Sequence, residues 1–231
     1  MTTDPIDPEN NILKSYNLLL YFAGSMIMYE PSEECITDFW IKGNLKNLPV
    51  SSSNPNFVKA ASQLRNSCTD IDTCGKRLRE DYIRLFARKD LPLAPVYESL
   101  YNVSGHSDFS HFSPPVTEFY NSYGWQSKKR GDIKDDHLGI ELLFLTIMVN
   151  KYLELEDNVC RIEMRTEIQR FINQHILSWI AEWNRNIQEN AKTLCYKAIG
   201  TLIVACIEDM FSYLAQNITN TKENEMPRNL G

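Results

Sequence analysis

The chain has 231 residues, 43% of them hydrophobic and 23% charged, with a formal net charge of −6 at neutral pH. This is the composition of an ordinary globular protein large enough for one sizeable core. The acidic balance disfavours nucleic acid as a partner, because phosphate binding needs a cationic surface. The presence of only 9 glycines argues against a turn-rich β-sandwich or a glycine-rich phosphate loop.

In chain order, the start MTTDPIDPENN is acidic and lacks the basic and apolar regions of a targeting peptide. In the next segment Leu13, Tyr16, Leu20, Ala23 and Ile27 recur at helical spacing until Pro31 stops the pattern. Its apolar stretch LLLYFAGSMIMY is too short to span a bilayer, so stable membrane insertion is not expected and the chain reads as cytoplasmic. A short helix follows that Ser32 caps and Gly43 ends. The next helix has Pro55 near its start and Phe57, Ala60, Ala61 and Leu64 on one face. A fourth places Leu78, Tyr82, Leu85 and Phe86 together.

Asp90 to Pro114 is irregular, with Pro92, Pro95, Gly105, His106, His111 and the motif VYESLY. A loop this long in a compact protein tends to be functional or poorly ordered. PPVTEFYNSYG forms a short helix headed by Pro114 and Pro115, and WQSKKRGDIK is a polar linker. Three long helices are expected over about 135–155, 159–187 and 190–217. The first is apolar nearly all round, the mark of a central helix. The last carries a wide apolar stripe from Ala198 to Leu214. The tail TNTKENEMPRNLG lacks an apolar pattern and is expected to be disordered. With no repeat and no strand pattern, the fold class is all-α, a single-domain helical bundle over 1–218 with a tail over 219–231.

Six cysteines (Cys35, Cys68, Cys74, Cys160, Cys195 and Cys206) include no C-x-x-C pair. They are expected to be reduced, without a disulfide framework. The glycosylation patterns at Asn102 and Asn217 carry no weight without a secretory signal.

The chemistry-bearing residues gather in three segments. Asp135, Asp136 and His137 stand before the central helix, where a carboxylate would cap exposed N–H groups. Glu141, one turn beyond His137, interrupts an apolar helix. It must therefore be hydrogen-bonded or neutralised, either by the VYESLY loop or a tyrosine hydroxyl, or by orienting His137. Tyr82, Leu85 and Phe86 form an apolar patch that Leu91, Leu93, Pro95, Val96, Tyr97 and Tyr101 continue into the loop, with Glu98 in its middle. Irregular backbone rich in aromatic groups suggests a groove wall. His175, Trp179 and Trp183 share one ridge, which reads as helix packing. A metal would need more ligands than the His137–Glu141 pair supplies. No catalytic nucleophile motif or phosphate loop is present. Two further readings stay open: a small-molecule or nucleotide site built on the 91–101 loop, and a metal-dependent hydrolase using Asp136, His137 and His175.

YIRLF followed by APVYESLY, then DDHLGIELLFL, then FINQHILSWIAEW with CYKAIGTL behind it, resemble in this order the TorD/DmsD family of chaperones that mature molybdenum-containing oxidoreductases. The resemblance runs from about Asn11 to Asn217. It implies an all-α fold, no catalysis and no cofactor of its own. It also implies a partner, the twin-arginine leader and body of an apo-molybdoenzyme, bound by a monomer or a homodimer. By the same resemblance the peptide surface uses Tyr82, Leu85, Phe86, Val96, Tyr97, Glu98, Asp136, His137 and Glu141. The sequence departs from the family pattern at three places. Ala87-Arg88-Lys89 stands where Gly-Pro is usual, Tyr82 where Trp is common, and Ile133-Lys134 where Glu-Pro often precedes the acidic pair.

Overall fold

The computed structural model describes residues 8–46, 48–68, 70–88, 90–101, 115–128 and 133–225. Nine α-helices are found among them. Helix α1 (Pro8–Met28) buries the expected stripe of Leu13, Tyr16, Leu20, Ala23 and Ile27. Ser32 caps α2 (Glu33–Ile36) by accepting the Cys35 N–H at 3.1 Å. A π-turn over Thr37–Ile41 prolongs α2, and Gly43, at φ +81°, turns the chain away. Helix α3 (Pro55–Arg65) starts on its proline, with Asn54 accepting the Asn56 N–H. Helix α4 (Ile71–Tyr82) is capped by Asp70 and runs on as a π-turn over Ile83–Ala87. Helix α5 (Val116–Ser122) is short, and α6 (Leu138–Glu154) follows the acidic pair. Helices α7 (Asn158–Phe171), α8 (Ile180–Asn190) and α9 (Leu194–Glu225) complete the fold.

The structure corrects four expectations. The helix expected over 159–187 is interrupted. After α7 comes a π-turn over Ile172–Leu177, and then Trp179 leaves helical geometry at φ −138°. The Trp179 indole N–H donates to the His175 carbonyl at 2.6 Å, taking an acceptor that a continuous helix would use. The last helix runs to Glu225, past the end expected at about 217, while residues 226–231 lie outside the described part. Cys68 and Cys74 are joined by a disulfide, with Cα atoms 5.7 Å apart. The end of α3 and the first turn of α4 fold back on each other there, so five intervening residues bring the two sulfurs together. Finally, α6 is not buried all round: Leu143, Ile147 and Asn150 form a narrow open stripe. Residues 102–114 of the irregular loop, with His106 and His111, and linker residues 129–132 lie outside the described residues.

The core is one continuous cluster. Helix α9 packs on α1, α3, α7 and α8, and α1 also packs on α6. Complete burial of each Leu, Ile or Phe here contributes about 1.5–3 kcal/mol. Among the described residues only Leu194–Ala215 is long and apolar enough to cross a membrane, and this segment is the bundle's own core helix.

Two carboxylates fasten α9 to the rest. The buried Asp81 of α4 accepts the Lys192 N–H at 3.0 Å, the Thr193 N–H at 2.8 Å and the Thr193 hydroxyl at 2.8 Å. It thus caps α9 from a different helix and also pairs with Arg84 at 2.7 Å. Further along, Asp209 of α9 accepts from the hydroxyls of Tyr16 and Ser52 and from the Asn54 amide.

Helices α1 and α6 cross where two glycines meet. A Cβ on Gly139 would lie 2.8 Å from the Met28 Cε and 3.2 Å from the Gly24 carbonyl oxygen. Met28 can yield, but the backbone oxygen of a packed helix yields less. Gly139→Ala is therefore expected to destabilise the fold by roughly 1–3 kcal/mol despite the better helix propensity of alanine. Chemical denaturation against the parent checks this.

Candidate functional site

A two-residue antiparallel bridge between Tyr97 and His137 organises the site. The Glu98 N–H donates to the Asp136 carbonyl at 2.9 Å, and the Leu138 N–H donates to the Val96 carbonyl at 2.8 Å. The loop carrying VYESLY is thereby fixed on the start of the central helix. The rings of Tyr97 and His137 meet edge to face, 5.3 Å between centroids. The Asp136 side chain accepts the Ser99 N–H at 3.2 Å, at the head of the 3₁₀ turn Glu98–Leu100.

The cap of α6 is His137, not either aspartate. Its Nδ1 accepts the Gly139 N–H at 2.9 Å, which requires that nitrogen to be unprotonated. Burial lowers the His137 pKa to about 4, against the opposing pull of Asp136. The imidazole is therefore neutral at ordinary pH and can keep this bond.

Behind the bridge lies a buried acid pair. Glu141 is wholly buried, and no N–H or O–H donor of the described residues reaches either of its oxygens. Its neighbour is the Glu98 carboxylate, and two carboxylates fit together only when one carries a proton. Burial first, then the charges of Glu98 and Asp136, push the Glu141 pKa well above the ordinary carboxylate range. The raised pKa favours Glu141 as the protonated member, with its proton available to Glu98. On its other side Glu98 meets the His175 Nδ1 at 3.3 Å. His175 packs against Phe119 and Phe171, and Trp179 and Trp183 on its ridge are buried, as the sequence pattern indicated. Asp136, His137 and His175 do not form a ligand set; among the described residues no three metal-ligand side chains converge.

The nine sequence-predicted site residues fall into two groups. Leu85, Phe86, Val96, Glu98, His137 and Glu141 are buried. Leu85, Phe86 and Val96 belong to the core rather than to the wall of an open trough, because the loop returns to α4 through the Ala94 N–H, which bonds the Leu85 carbonyl. Tyr82, Tyr97 and Asp136 are partly exposed and make the accessible edge. Tyr82 stacks edge to face on Phe86, which stacks likewise on Tyr196, while its hydroxyl donates to the Met28 carbonyl at the end of α1. That bond brings in Tyr29, 45% exposed, and Glu30, also exposed. Burial first, then Glu30, Tyr97 and Tyr29, raise the Tyr82 pKa. Sequence reading missed Tyr29 and Glu30 because they stand at a helix end before Pro31, off the apolar stripe. The only available signal was an aromatic and an acid placed together at a chain reversal. Lys134 lies 5.6 Å over the Tyr97 ring, so one face of that ring already holds a cation.

The accessible edge holds aromatic faces and carboxylates, and its supports are buried. Fold and relatives together define the class: an all-helical chaperone rather than an enzyme. The chain belongs to the nitrate reductase delta subunit family, whose pattern matches residues 53–185. It is similar to the chaperone protein TorD of Vibrio cholerae O395, 23% identical over 194 residues that make up 82% of this chain and 87% of that protein. TorD of Aliivibrio fischeri is 24% identical over 178 residues, 77% of this chain and 82% of its own length. TorD of a Psychrobacter species is 26% identical over 133 residues, 57% and 59% respectively. The family resemblance drawn from the motifs is thereby shown.

Proposed function

We propose that this chain binds, in the cytoplasm, the twin-arginine leader of a molybdopterin-dependent oxidoreductase in its apo form. It holds that enzyme, by leader and body, until the cofactor is inserted before export. The observation that carries this reading is the Tyr97 ring beside the Asp136 carboxylate on a hydrogen-bonded bridge, with Tyr82, Tyr29 and Glu30 alongside. A guanidinium pairs with carboxylates and stacks on aromatic faces, and it does both best where the groups are held rigidly. Phenol rings offer apolar area to the hydrophobic part of a leader at low entropic cost. The buried Leu85, Phe86, Val96, Glu98, His137 and Glu141 act in this reading by positioning that edge.

Asp136→Asn keeps an oxygen for the Ser99 N–H but loses the charge, and Tyr97→Ala loses the ring. Each is expected to weaken binding of a synthetic twin-arginine leader about tenfold, or about 1.4 kcal/mol, in titration calorimetry. A leader with both arginines changed to lysine should bind the parent more weakly and lose less on Tyr97→Ala. Absence of both heat and a melting-temperature shift with several twin-arginine leaders would overturn the reading.

A further inference from the structure

A cavity of about 340 Å³ opens where the end of α3, the first turns of α4 and the start of α9 meet. The Cys68–Cys74 disulfide forms part of its wall. Two exposed cations, Arg77 and Lys192, also line it. Asp70 is the one carboxylate in the lining, and it accepts the Thr73 N–H as the cap of α4. Asp81, which binds the Lys192 amide, is engaged by Thr193 and Arg84. The cavity therefore combines an S–S bond with a net positive lining, and Ser67, Thr73 and Thr193 add hydroxyls.

No free cysteine is among the residues that line the cavity. Cys195, at the start of α9, is wholly buried, and burial pushes its thiol up to about 12. Cys35 is only partly buried but is also raised, by burial and then by Asp38. An attacking thiolate has to come from solution, and the cation pair selects its charge.

We propose that this cavity is a thiol–disulfide exchange site whose substrate is a small anionic thiol. The incoming thiolate attacks one sulfur of the pair, bonds to it and expels the other cysteine as a thiolate, which Arg77 and Lys192 stabilise. A second thiolate attacks the mixed disulfide, releasing the small-molecule disulfide and leaving Cys68 and Cys74 reduced. The two small thiols supply both electrons. The reverse sequence, with the oxidised form of the same small thiol, closes the pair. A disulfide in a reducing compartment is ordinarily of this exchangeable kind. The site stands apart from the peptide edge: it lies at the first turns of α4, whereas Tyr82 lies at that helix's end.

The test uses the full chain, first treated with oxidised glutathione and then opened with reduced glutathione. Acid quenching, alkylation and peptide mass spectrometry follow Cys68 and Cys74. A glutathione adduct on one of the two is expected first, and then two free thiols. Opening should be roughly tenfold slower in the R77A/K192A double variant, whereas opening by cysteamine, a cationic thiol, should not slow. Raised ionic strength should reproduce this contrast in the parent protein, so the result does not hang on the folding of the variant. The proposal is overturned if Cys68 and Cys74 remain separately alkylatable after oxidised glutathione. It is equally overturned if glutathione opens the pair at a rate indifferent to both the cation pair and salt.

Discussion

Asp81→Ala should destabilise the protein by about 3–5 kcal/mol, a large share of the stability of an ordinary domain. The carboxylate is buried and satisfies the Lys192 N–H, the Thr193 N–H, the Thr193 hydroxyl and Arg84 at once. Removing it orphans the first donors of α9 and leaves Arg84, among the described residues, with the Asn190 carbonyl. Helix α9 packs against α1, α3, α4, α7 and α8, so a frayed start is felt across the core. Asp81→Asn keeps one acceptor for the amides and should cost clearly less. Arg84→Ala should also cost less, because the arginine is partly exposed and Asp81 would keep its other donors. Urea unfolding separates these cases: the midpoint should fall in this order with little change in slope.

The second large effect is a pH dependence with two limbs of opposite sign. His137 has a folded pKa of about 4 against an ordinary 6.5. Between these values the unfolded chain binds more protons than the folded one, so stability rises with pH across that window. The gain is on the order of 3 kcal/mol, since the ring is almost fully buried. Glu141 behaves oppositely. Its folded pKa lies well above 4.5, so its stabilisation is complete below that value and is lost as pH rises through the folded pKa. The two windows overlap above pH 4.5, where the slopes oppose, so parent stability should rise from about pH 4 to 4.5, stay nearly level to 6.5 and fall beyond it. His137→Asn, which keeps an acceptor for the Gly139 N–H, should flatten the acid limb. Glu141→Gln should flatten the alkaline limb, because its amide can still donate to Glu98. Melting temperatures from pH 4 to 9 decide the matter: in Glu141→Gln nothing opposes His137, and absence of a rise between pH 4 and 6.5 in that variant would refute the assignment of His137 as a neutral cap.

Local chemistry in the sequence located much of this architecture. The stripe of α1, the Ser32 cap, the turn at Gly43 and the proline start of α3 each follow from a few adjacent residues, and the structure shows all of them. Spacing alone failed where a distant partner decides. Asp135 and Asp136 look like caps by composition, yet the Tyr97–His137 bridge turns the chain so that the imidazole takes the Gly139 N–H. Val96 looks like a groove wall on irregular backbone, but the loop folds inward and seals it. Glu141 was marked as anomalous by its apolar surroundings, while its partner Glu98 stands 43 residues away in another element. The same holds for Cys68 and Cys74: six positions apart, they give no sign that two helices fold back on each other there.

Helix α9 forms an inner face for α1, α3, α7 and α8, and it is the last of the described helices to leave the ribosome. Until Leu194 and the residues after it are synthesised, the faces of α1, α3, α7 and α8 that meet α9 have no surface to close on, although α1 can already pack on α6. The bundle must therefore assemble late in translation. A nascent chain stalled before α9 would present a large sticky surface and become a client of general folding factors before it can serve one of its own.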